Sequence, residues 1–493
     1  MHATKVGARP SWIYYRRLQR KTRVTPRWQA LRDVLAGAAD DRPPWQTCRG
    51  AAVAVTGRIA ARHGLANGLL EATGMRSLAC VVVAFLAACG GGGSSGAAPD
   101  APAPDAPPPD AGSAACAAPT VSFSHTAGTS GVAHYHKVNT TVAAHKAAVC
   151  NDGSPGVYTV RAGYGGGAHR WVIFLEGGGS CQTADECNAR GMSLMSSNAI
   201  TDGAINATVF DAIRSSNATD NPDFYDANFV QIEYCSSDGW TGAAAAQNVD
   251  ASNVHHWAFQ GRAIIAAVID ELSTYGLAAG DEVLLTGGSA GGVGVYNNVD
   301  DVRALLPASI RLVALADAGF ILDYPALDPD TMQESTDAPT LIEAGAIEAA
   351  GVWSGHGNTR CEAAATTDTE RAACRGGAAM LGGSYVQTPM LVRQSQLDHV
   401  QLDRLIPADL VSQHGGAVDA YRGRFAARMR DVLGALPLAT SPHYAEFSTF
   451  DQQHVMITGP AWKTITVDGT ALSDAIGAFY QAPCDAPRRV ETP

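Results

Sequence analysis

The sequence has little positive charge once its first 74 residues are set aside. Those 74 residues carry 13 Lys and Arg against 4 Asp and Glu, which leaves 22 basic and 43 acidic residues for the rest of the 493-residue chain. A surface with this excess of negative charge repels the phosphates of nucleic acids. We therefore expect no nucleic-acid partner.

Three further absences narrow the class of protein. The chain has no CxxC pair, and its histidines do not stand beside its cysteines, so a structural zinc site is not expected. After Cys116 there is neither an internal repeat nor a second linker. The apolar run Leu78–Ala88 has eleven residues, whereas a membrane-spanning helix needs about 20. We predict a single globular domain over residues 116–493, without a metal or organic cofactor.

The short apolar run does fit an export signal. It follows Met75 and a positively charged Arg76, and it ends in Leu-Ala-Ala-Cys at Cys89. This ending resembles the lipobox of bacterial lipoproteins, which implies cleavage before Cys89 and diacylation of its thiol. We expect translation to start at Met75, with residues 75–88 as signal peptide and residues 1–74 as an upstream extension without a folded role.

Residues 89–115 read as a linker. They contain the stretch GGGGSSGAAPDAPAPDAPPPDAGSAA, whose Gly and Ser give flexibility and whose Pro-rich part favours extended polyproline II at about 3.1 Å per residue. A tether between a lipid anchor and a domain would have this composition. A disordered terminus without a purpose would have it too, and only the neighbouring lipobox favours the tether.

The cysteine content agrees with export. Eight cysteines lie beyond Cys89, and an even number in an exported chain suggests disulfides. The short-range candidates are Cys181 with Cys187 and Cys361 with Cys374. The eight are Cys116, Cys150, Cys181, Cys187, Cys235, Cys361, Cys374 and Cys484.

Short apolar strands alternate with amphipathic helices from residue 170 onward. The residues 257–276 put apolar side chains on one helical face and stop at a glycine, which predicts a helix. Strand–helix alternation over this length predicts an α/β fold with a mostly parallel sheet covered on both faces. The predicted strands are RWVIFLEGG, NFVQIEYC, EVLLTGG, IRLVALADAGF, TPMLVRQSQLD and HYAEFSTF.

One glycine-rich stretch has the form of a nucleophile elbow. Gly287-Gly288-Ser289-Ala290-Gly291 satisfies G-x-S-x-G and lies between a buried strand and the start of a helix. A serine on such a sharp turn leaves no room for side chains two residues before and after it. The helix that follows directs free N–H groups and a positive dipole end at charge developing near Ser289. Taken alone, the motif would also fit an ordinary glycine-rich loop.

A nucleophilic serine needs a base and an orienting acid, in the chain order Ser, Asp/Glu, His. His454 is favoured as the base because it follows the strand HYAEFSTF at a sheet edge, from which a loop reaches the elbow. Asp317 and Asp398 each end a predicted strand, and position alone leaves both open as the acid. The histidines allowed by this order are His399, His414, His443 and His454.

Several separate motifs carry a family resemblance between Asn139 and Phe479. Together they look like the pectin acetylesterase family, which includes plant pectin acetylesterases and the animal carboxylesterase Notum, which removes a fatty acyl group from a protein serine. The resemblance implies an α/β-hydrolase-like fold with a helical insertion before the acid-bearing strand. The motifs are CNDGSP, FLEGGGSC, LMSS, YCSSDGWTG, GGSAGGVGVYNNVDDV and ALADAGF.

The resemblance also implies roles for individual residues. Ser289 falls on the family's nucleophile and His454 on its base, and Asp398, rather than Asp317, falls on its acid. The implied oxyanion donors are the backbone N–H groups of Ala290 and of Gly177 or Gly178.

By the same resemblance, Cys150 pairs with Cys235 and Cys181 with Cys187. Separately, we expect Cys116 to pair with Cys484 and tie the two ends of the domain together. Cys361 and Cys374, the other short-range candidates, are then expected to pair with each other.

One departure from the family affects the substrate. Notum-like enzymes have a bulky aromatic residue directly after the EGG sequence, where this chain has Gly179 and Ser180. We predict an exported, membrane-anchored lipoprotein esterase that removes O-acetyl groups from an acylated polysaccharide. Alternatives are an O-deacylase of acylated protein or small esters, and an inactive surface binding module on a hydrolase scaffold.

Overall fold

The structure of the protein, a computed structural model, describes residues 116, 118, 119, 128 and 130 and most of residues 131–492. Within the latter range it omits 202, 206–209, 249–255, 337–339, 341–352 and 438–443. The predicted extension, signal peptide, lipid-bearing Cys89 and the remainder of the linker up to residue 115 lie outside the described residues, as does His443.

Fourteen strands occur in the described residues, and ten of them form one sheet. They are β1 Ala133–Lys137, β2 Val157–Arg161, β3 Arg170–Leu175, β4 Gly203–Ile205, β5 Asn228–Ile232, β6 Ala244–Asn248, β7 His256–Phe259, β8 Glu282–Gly288, β9 Arg311–Asp317, β10 Met390–Ser395, β11 Tyr444–Thr449, β12 Thr466–Val467, β13 Thr470–Ala471 and β14 Arg488–Val490. The order in the large sheet is β14-β11-β10-β9-β8-β3-β5-β2-β1-β4. The remaining strands form two small hairpin sheets, β6 with β7 and β12 with β13.

The large sheet is parallel from β14 to β5 and antiparallel beyond it. Strands β3 and β9 both pair with β8 in parallel, and β10 pairs with β9 and β11 in parallel. Strands β2, β1 and β4 continue the sheet in antiparallel pairs. Every residue of β3, β5, β8, β10 and β11 is buried. The predicted α/β fold with a mostly parallel sheet is confirmed.

Helices cover both faces of this sheet. Apolar side chains of α2, α3 and α9 join one core cluster, and those of α10 and α11 join a second cluster. The helices are α1 Ala184–Ala189, α2 Gly261–Glu271, α3 Ala290–Leu305, α4 Thr359–Ala364, α5 Asp368–Ala373, α6 Gly377–Gly382, α7 His399–Leu405, α8 Leu410–Gln413, α9 Gly415–Gly434, α10 Ala461–Thr464 and α11 Leu472–Gln481. Short 3-10 helices span Ala143–His145, Gly165–His169, Met192–Leu194, Ala212–Arg214 and Leu272–Tyr275.

Two sequence-based expectations about boundaries are wrong. The helix predicted from residue 257 begins at Gly261, because residues His256–Phe259 form β7 and pair with β6. Its end is as predicted, since Gly276 adopts the left-handed region with φ 104° after a 3-10 turn. Strand β11 is also not at the sheet edge, because the short β14 pairs with it.

The eight cysteines of the described residues form four disulfides. They are Cys116–Cys484, Cys150–Cys235, Cys181–Cys187 and Cys361–Cys374. The last one lies in the helical segment between β9 and β10 and joins α4 to the end of α5. Disulfides persist in oxidising compartments, which indicates an exported protein. Among the described residues, no helix has both the length and the apolar character to cross a membrane.

Candidate active site

Ser289 occupies the sharp turn between β8 and α3. Its backbone has φ 58° and ψ −122°, outside the regions that residues with a side chain ordinarily adopt. Such a conformation costs on the order of 1–3 kcal/mol and persists only where the surroundings hold it. Here the N–H of Ser289 donates to the carbonyl of Asp317 on the neighbouring strand at 2.9 Å. The turn presents the Ser289 side chain above the carboxyl ends of the parallel strands.

The glycines around Ser289 allow the backbones of three segments to approach closely. A Cβ on Gly287 would lie 2.6 Å from the carbonyl of Gly291 and 2.8 Å from that of Leu175. A Cβ on Gly177 would lie 2.5 Å from the carbonyl of Gly288. A Cβ on Gly291 would collide with the Leu175 carbonyl. Each glycine is therefore required by backbone proximity.

Gly291→Ala is expected to lower the free energy of unfolding by about 1–3 kcal/mol, because the added methyl group meets the rigid Leu175 carbonyl. The matched control is Gly423→Ala in α9, where nothing lies within 4 Å of the added Cβ. That change should raise stability by about 0.5–1 kcal/mol, since alanine favours the helix. Urea unfolding measures both. Equal effects of the two substitutions would contradict the packing argument.

His454 links Ser289 to Asp398 through a chain of hydrogen bonds. The His454 Nε2 atom lies 2.8 Å from the Ser289 hydroxyl oxygen. The His454 Nδ1 atom lies 2.9 Å and 3.0 Å from the two carboxylate oxygens of Asp398. This pattern assigns a proton to Nδ1 and leaves Nε2 as the acceptor for the serine proton. The arrangement has the geometry of a nucleophile, a base and an orienting acid.

Asp398 is completely buried and held from several directions. Its carboxylate also accepts from the side-chain amide of Gln394 at 2.8 Å and from the N–H of Val400 at 2.9 Å, which caps α7. Burial by itself raises the pKa of this carboxyl, but the hydrogen bond and charge of His454 and the other donors outweigh it and lower the pKa below its usual value. The group is therefore a carboxylate at neutral pH.

Three backbone N–H groups near Ser289 are candidate oxyanion donors. Ala290 is the first residue of α3, where an N–H has no acceptor within the helix. No hydrogen bond of the described residues uses the N–H of Gly177 or Gly178. The segment that carries these two glycines is anchored by its carbonyls, since Trp240 Nε1 donates to Glu176 at 2.9 Å and Arg190 to Gly178 at 2.7 Å.

Two carboxyl groups interact next to this glycine segment, since Glu176 directly precedes Gly177. Glu176 accepts the N–H of Tyr234 at 2.9 Å and shares a hydrogen bond with the carboxyl of Glu233. Glu233 is further held by the side chains of Gln231 and Thr159. Burial, together with the charge of the neighbouring carboxyl, raises the pKa of Glu233 well above its usual value, and burial raises that of Glu176. A hydrogen bond between two carboxyl groups requires one of them to carry a proton.

Stability is expected to fall as the pH rises above about 4.5, the usual pKa of glutamate. The folded state retains a proton on this pair that the unfolded chain releases, so the stabilising contribution is complete below that pH and is lost as the pH passes the raised values. Glu233→Gln replaces the titrating carboxyl with a permanent N–H donor and should flatten the dependence of Tm on pH above about 4.5. Parallel curves for variant and wild type would contradict a shared proton.

The sequence profile of the pectinacetylesterase family matches residues 132–423, which contain Ser289, Asp398 and the glycine segment. This chain belongs to the pectinacetylesterase family. The match extends from β1 into α9 and therefore includes every parallel strand of the sheet except β11 and β14.

Relatives of this family member include both animal and plant proteins. The palmitoleoyl-protein carboxylesterase NOTUM of Homo sapiens is 31% identical over 353 residues, which are 70% of this chain and 66% of that protein. Pectin acetylesterase 5 of Arabidopsis thaliana is 32% identical over 185 residues, 38% of this chain and 42% of that protein. The crystal structure of the Wnt deacylase Notum from Drosophila superposes with a TM-score of 0.62 and 26% identity, covering 73% of this chain and 97% of that one. The chain spans 65–66% of the length of the Notum proteins from mouse and human.

The structure distinguishes the candidate acids and histidines that position alone left open in this member of the pectinacetylesterase family. Asp317 does not contact the His454 ring, because its carboxylate pairs with Arg393 and accepts the N–H groups of Met456 and Ile457. His399 lies beside His454 with ring centroids 5.9 Å apart, and its Nδ1 bonds the Gln452 carbonyl instead of Asp398. His414 precedes α9 and makes no side-chain contact with Ser289 in the described residues.

The sequence motifs did not identify two buried polar residues of β10 that lie near the site. Arg393 and Gln394 directly follow the apolar stretch PMLV in the same strand, and both are completely buried. Gln394 contacts Asp398, and Arg393 contacts the backbone of the His454 loop. Polar residues that directly follow an apolar run are the signal available in the sequence, because a polar group that is buried with the strand requires partners.

Proposed function

We propose that this protein is an exported serine esterase that removes O-acyl groups, with acetyl as the expected group, from a polysaccharide. The observation that carries the proposal is the continuous hydrogen-bonded chain from Asp398 through His454 to Ser289. The strained backbone of Ser289 supports a catalytic role over a binding role, because a binding surface has no use for such a turn.

In the acylation step the Ser289 oxygen attacks the carbonyl carbon of the ester. His454 Nε2 takes the serine proton as the bond forms, and Asp398 stabilises the resulting imidazolium and holds its orientation. The tetrahedral intermediate carries its negative charge on the former carbonyl oxygen. Collapse expels the alcohol, which receives the proton from His454, and leaves the acyl group on Ser289.

Water completes the cycle by the same route. His454 takes a proton from water, the hydroxide adds to the acyl carbon, and Ser289 leaves with the proton as the carboxylic acid is released. The N–H groups of Ala290, Gly177 and Gly178 are the proposed donors to both oxyanions. Each such donor lowers the barrier by about 3–4 kcal/mol when it is aimed at the developing charge.

The glycine segment supports a small acyl group on a bulky polar substrate. Gly179 has φ 69°, and a Cβ there would meet only the Arg190 guanidinium, 3.9 Å away. The position that is aromatic in Notum-like relatives is Gly179 here, so no aromatic ring at that position walls a long acyl chain. We therefore favour a polysaccharide O-acetyl ester.

Deacylation of a protein is the second candidate. It is favoured by the Notum relatives, whose similarity covers 70% of this chain, whereas the similarity to plant pectin acetylesterase 5 covers 38%. An inactive binding module on the same scaffold is the third candidate, and a complete lack of esterase activity would support it.

The test measures turnover of p-nitrophenyl esters from C2 to C16 by the purified protein, followed by acetate release from a panel of acetylated glycans. We expect the highest kcat/KM at C2 and acetate release from at least one glycan. Highest activity at C8 or longer, without acetate release, would favour the protein-deacylation candidate. Absence of all activity would overturn the esterase proposal.

We also propose that the protein is held at the bacterial envelope by a lipid on Cys89. The support is the sequence alone, namely the lipobox and the tether-like composition of residues 89–115. Cys89→Ser should abolish incorporation of labelled palmitate and release the protein from the membrane fraction. Mass-spectrometric detection of peptides from residues 1–74 in the native protein would contradict a start at Met75.

A further inference from the structure

A buried ion pair joins β9 to β10 at their carboxyl ends. Asp317 and Arg393 are directly opposite residues in the parallel register, and the Arg393 guanidinium lies 2.9 Å from the Asp317 carboxylate. Both side chains are 0% exposed. A buried ion pair contributes little net stability compared with apolar residues of similar size. Stability alone therefore does not explain why this pair is present.

The pair holds both partners of the Ser289–His454 hydrogen bond by their backbones. The second carboxylate oxygen of Asp317 accepts the N–H of Met456 at 2.7 Å and of Ile457 at 2.9 Å, two and three residues after His454. Arg393 donates to the carbonyl of His454 itself. Ser289 donates its N–H to the backbone carbonyl of Asp317 at 2.9 Å.

These contacts lie on both sides of His454 within its loop. The loop connects β11 to α10 and contains no strand or helix of its own between Thr449 and Ala461. Its peptide groups on either side of His454 are therefore held by one side-chain pair that belongs to a rigid sheet. A ring held in this way keeps its Nε2 atom at a fixed distance from Ser289.

We propose that Asp317 and Arg393 form a positioning clamp that sets the distance between His454 and Ser289. This inference depends on the esterase function proposed above. Neither residue touches the reacting atoms, and the clamp acts on the rate of proton transfer between Ser289 and His454. Substrate binding should depend on it little.

The structure offers a matched control pair. Arg170 and Asp226 form a buried ion pair at 2.6 Å, with side chains 1% and 0% exposed, at the opposite end of β3 from the glycine segment. Neutralising one carboxylate in either pair removes the nearest carboxylate of a buried arginine, although Arg393 retains Asp451 at 3.9 Å, so both lesions should lower Tm. In the described part of the chain, the Asp317–Arg393 pair bonds to the backbone of the His454 loop, whereas Arg170 starts β3 at its far end.

The experiment compares Asp317→Asn and Arg393→Lys with Asp226→Asn and Arg170→Lys in the full protein, at a temperature below every Tm. We measure kcat and KM on p-nitrophenyl acetate, and the rate at which an alkyl fluorophosphonate labels Ser289. Lysine keeps the ion pair with Asp317 but has no forked donor set for the His454 carbonyl. Arg393→Lys therefore still tests the clamp if Asp317→Asn does not fold.

The clamp variants should lose about 10- to 100-fold in kcat and in labelling rate with KM nearly unchanged, while the control variants keep wild-type rates. Equal losses in clamp and control variants, or wild-type rates in the clamp variants, would overturn the clamp. A wild-type protein that neither turns over nor labels would instead overturn the proposed esterase function. The two failures are therefore distinguishable.

Discussion

Ser289→Ala should abolish ester hydrolysis and leave the folded structure unchanged. Alanine keeps the Cβ and therefore the same backbone preference, so the turn at φ 58° carries similar strain in both proteins. The variant loses the oxygen that would attack the carbonyl carbon, and kcat should fall by on the order of 10⁴ to 10⁶. Turnover of p-nitrophenyl acetate measures the effect, and circular dichroism checks the fold.

The matched control is Ser412→Ala. Its hydroxyl is on the short helix α8 and donates to the Asp409 carbonyl, far along the chain from the elbow. This substitution removes the same atoms and should leave kcat at the wild-type value. Retention of most activity by Ser289→Ala would refute its assignment as the nucleophile.

Asp398→Asn should lower kcat by about 10⁴ in a protein that still folds. Asparagine is as good an N-cap as aspartate, so the start of α7 is preserved. The amide, however, can offer an N–H to His454 where the carboxylate accepted one, which favours the tautomer with the proton on Nε2. That tautomer cannot take the proton of Ser289.

The pH dependence of this loss follows from the lowered pKa of Asp398. Because the pKa of Asp398 is lowered, its carboxylate is ionised and holds His454 at every pH above the usual pKa. The carboxylate is protonated only as the pH falls through the lowered pKa. The deficit of the variant should therefore be constant through neutral pH. Asp328→Asn is the control, because Asp328 also accepts two backbone N–H groups, but in a turn without a histidine contact. A wild-type kcat in Asp398→Asn would show that another group orients His454.

The elbow could be predicted because its evidence is local. A buried strand, GGSAGG and a helix start follow one another within some 25 residues, so the motif is visible in the sequence even though Gly291 is required by contact with the Leu175 carbonyl. The local sequence cannot show whether Asp317 or Asp398 is the acid that contacts His454. Both residues follow parallel strands at the same edge of the sheet, and only the side-chain directions and the path of the loop after β11 distinguish them.

The start of α2 likewise could not be predicted from the local sequence. Trp257 and Phe259 fit a helical pattern when the chain is considered alone, yet they are strand residues paired with β6. The competing partner, β6, lies outside the predicted helix segment, and Asp238 accepts the N–H of Gly261 at the observed helix start. Secondary-structure boundaries depend on such contacts from outside the segment.

By itself, the sequence determined the fold class, the candidate nucleophile on its turn and the family to which the chain belongs, because periodicity, glycine spacing and motif order are properties of short segments. Only the tertiary structure decided which acid meets His454, how Gly177 and Gly178 come within reach of Ser289, and that Asp317 and Arg393 hold the histidine loop. Those relations join residues that are more than 50 positions apart in the chain. Their geometry follows from strand register and packing, which no single segment encodes.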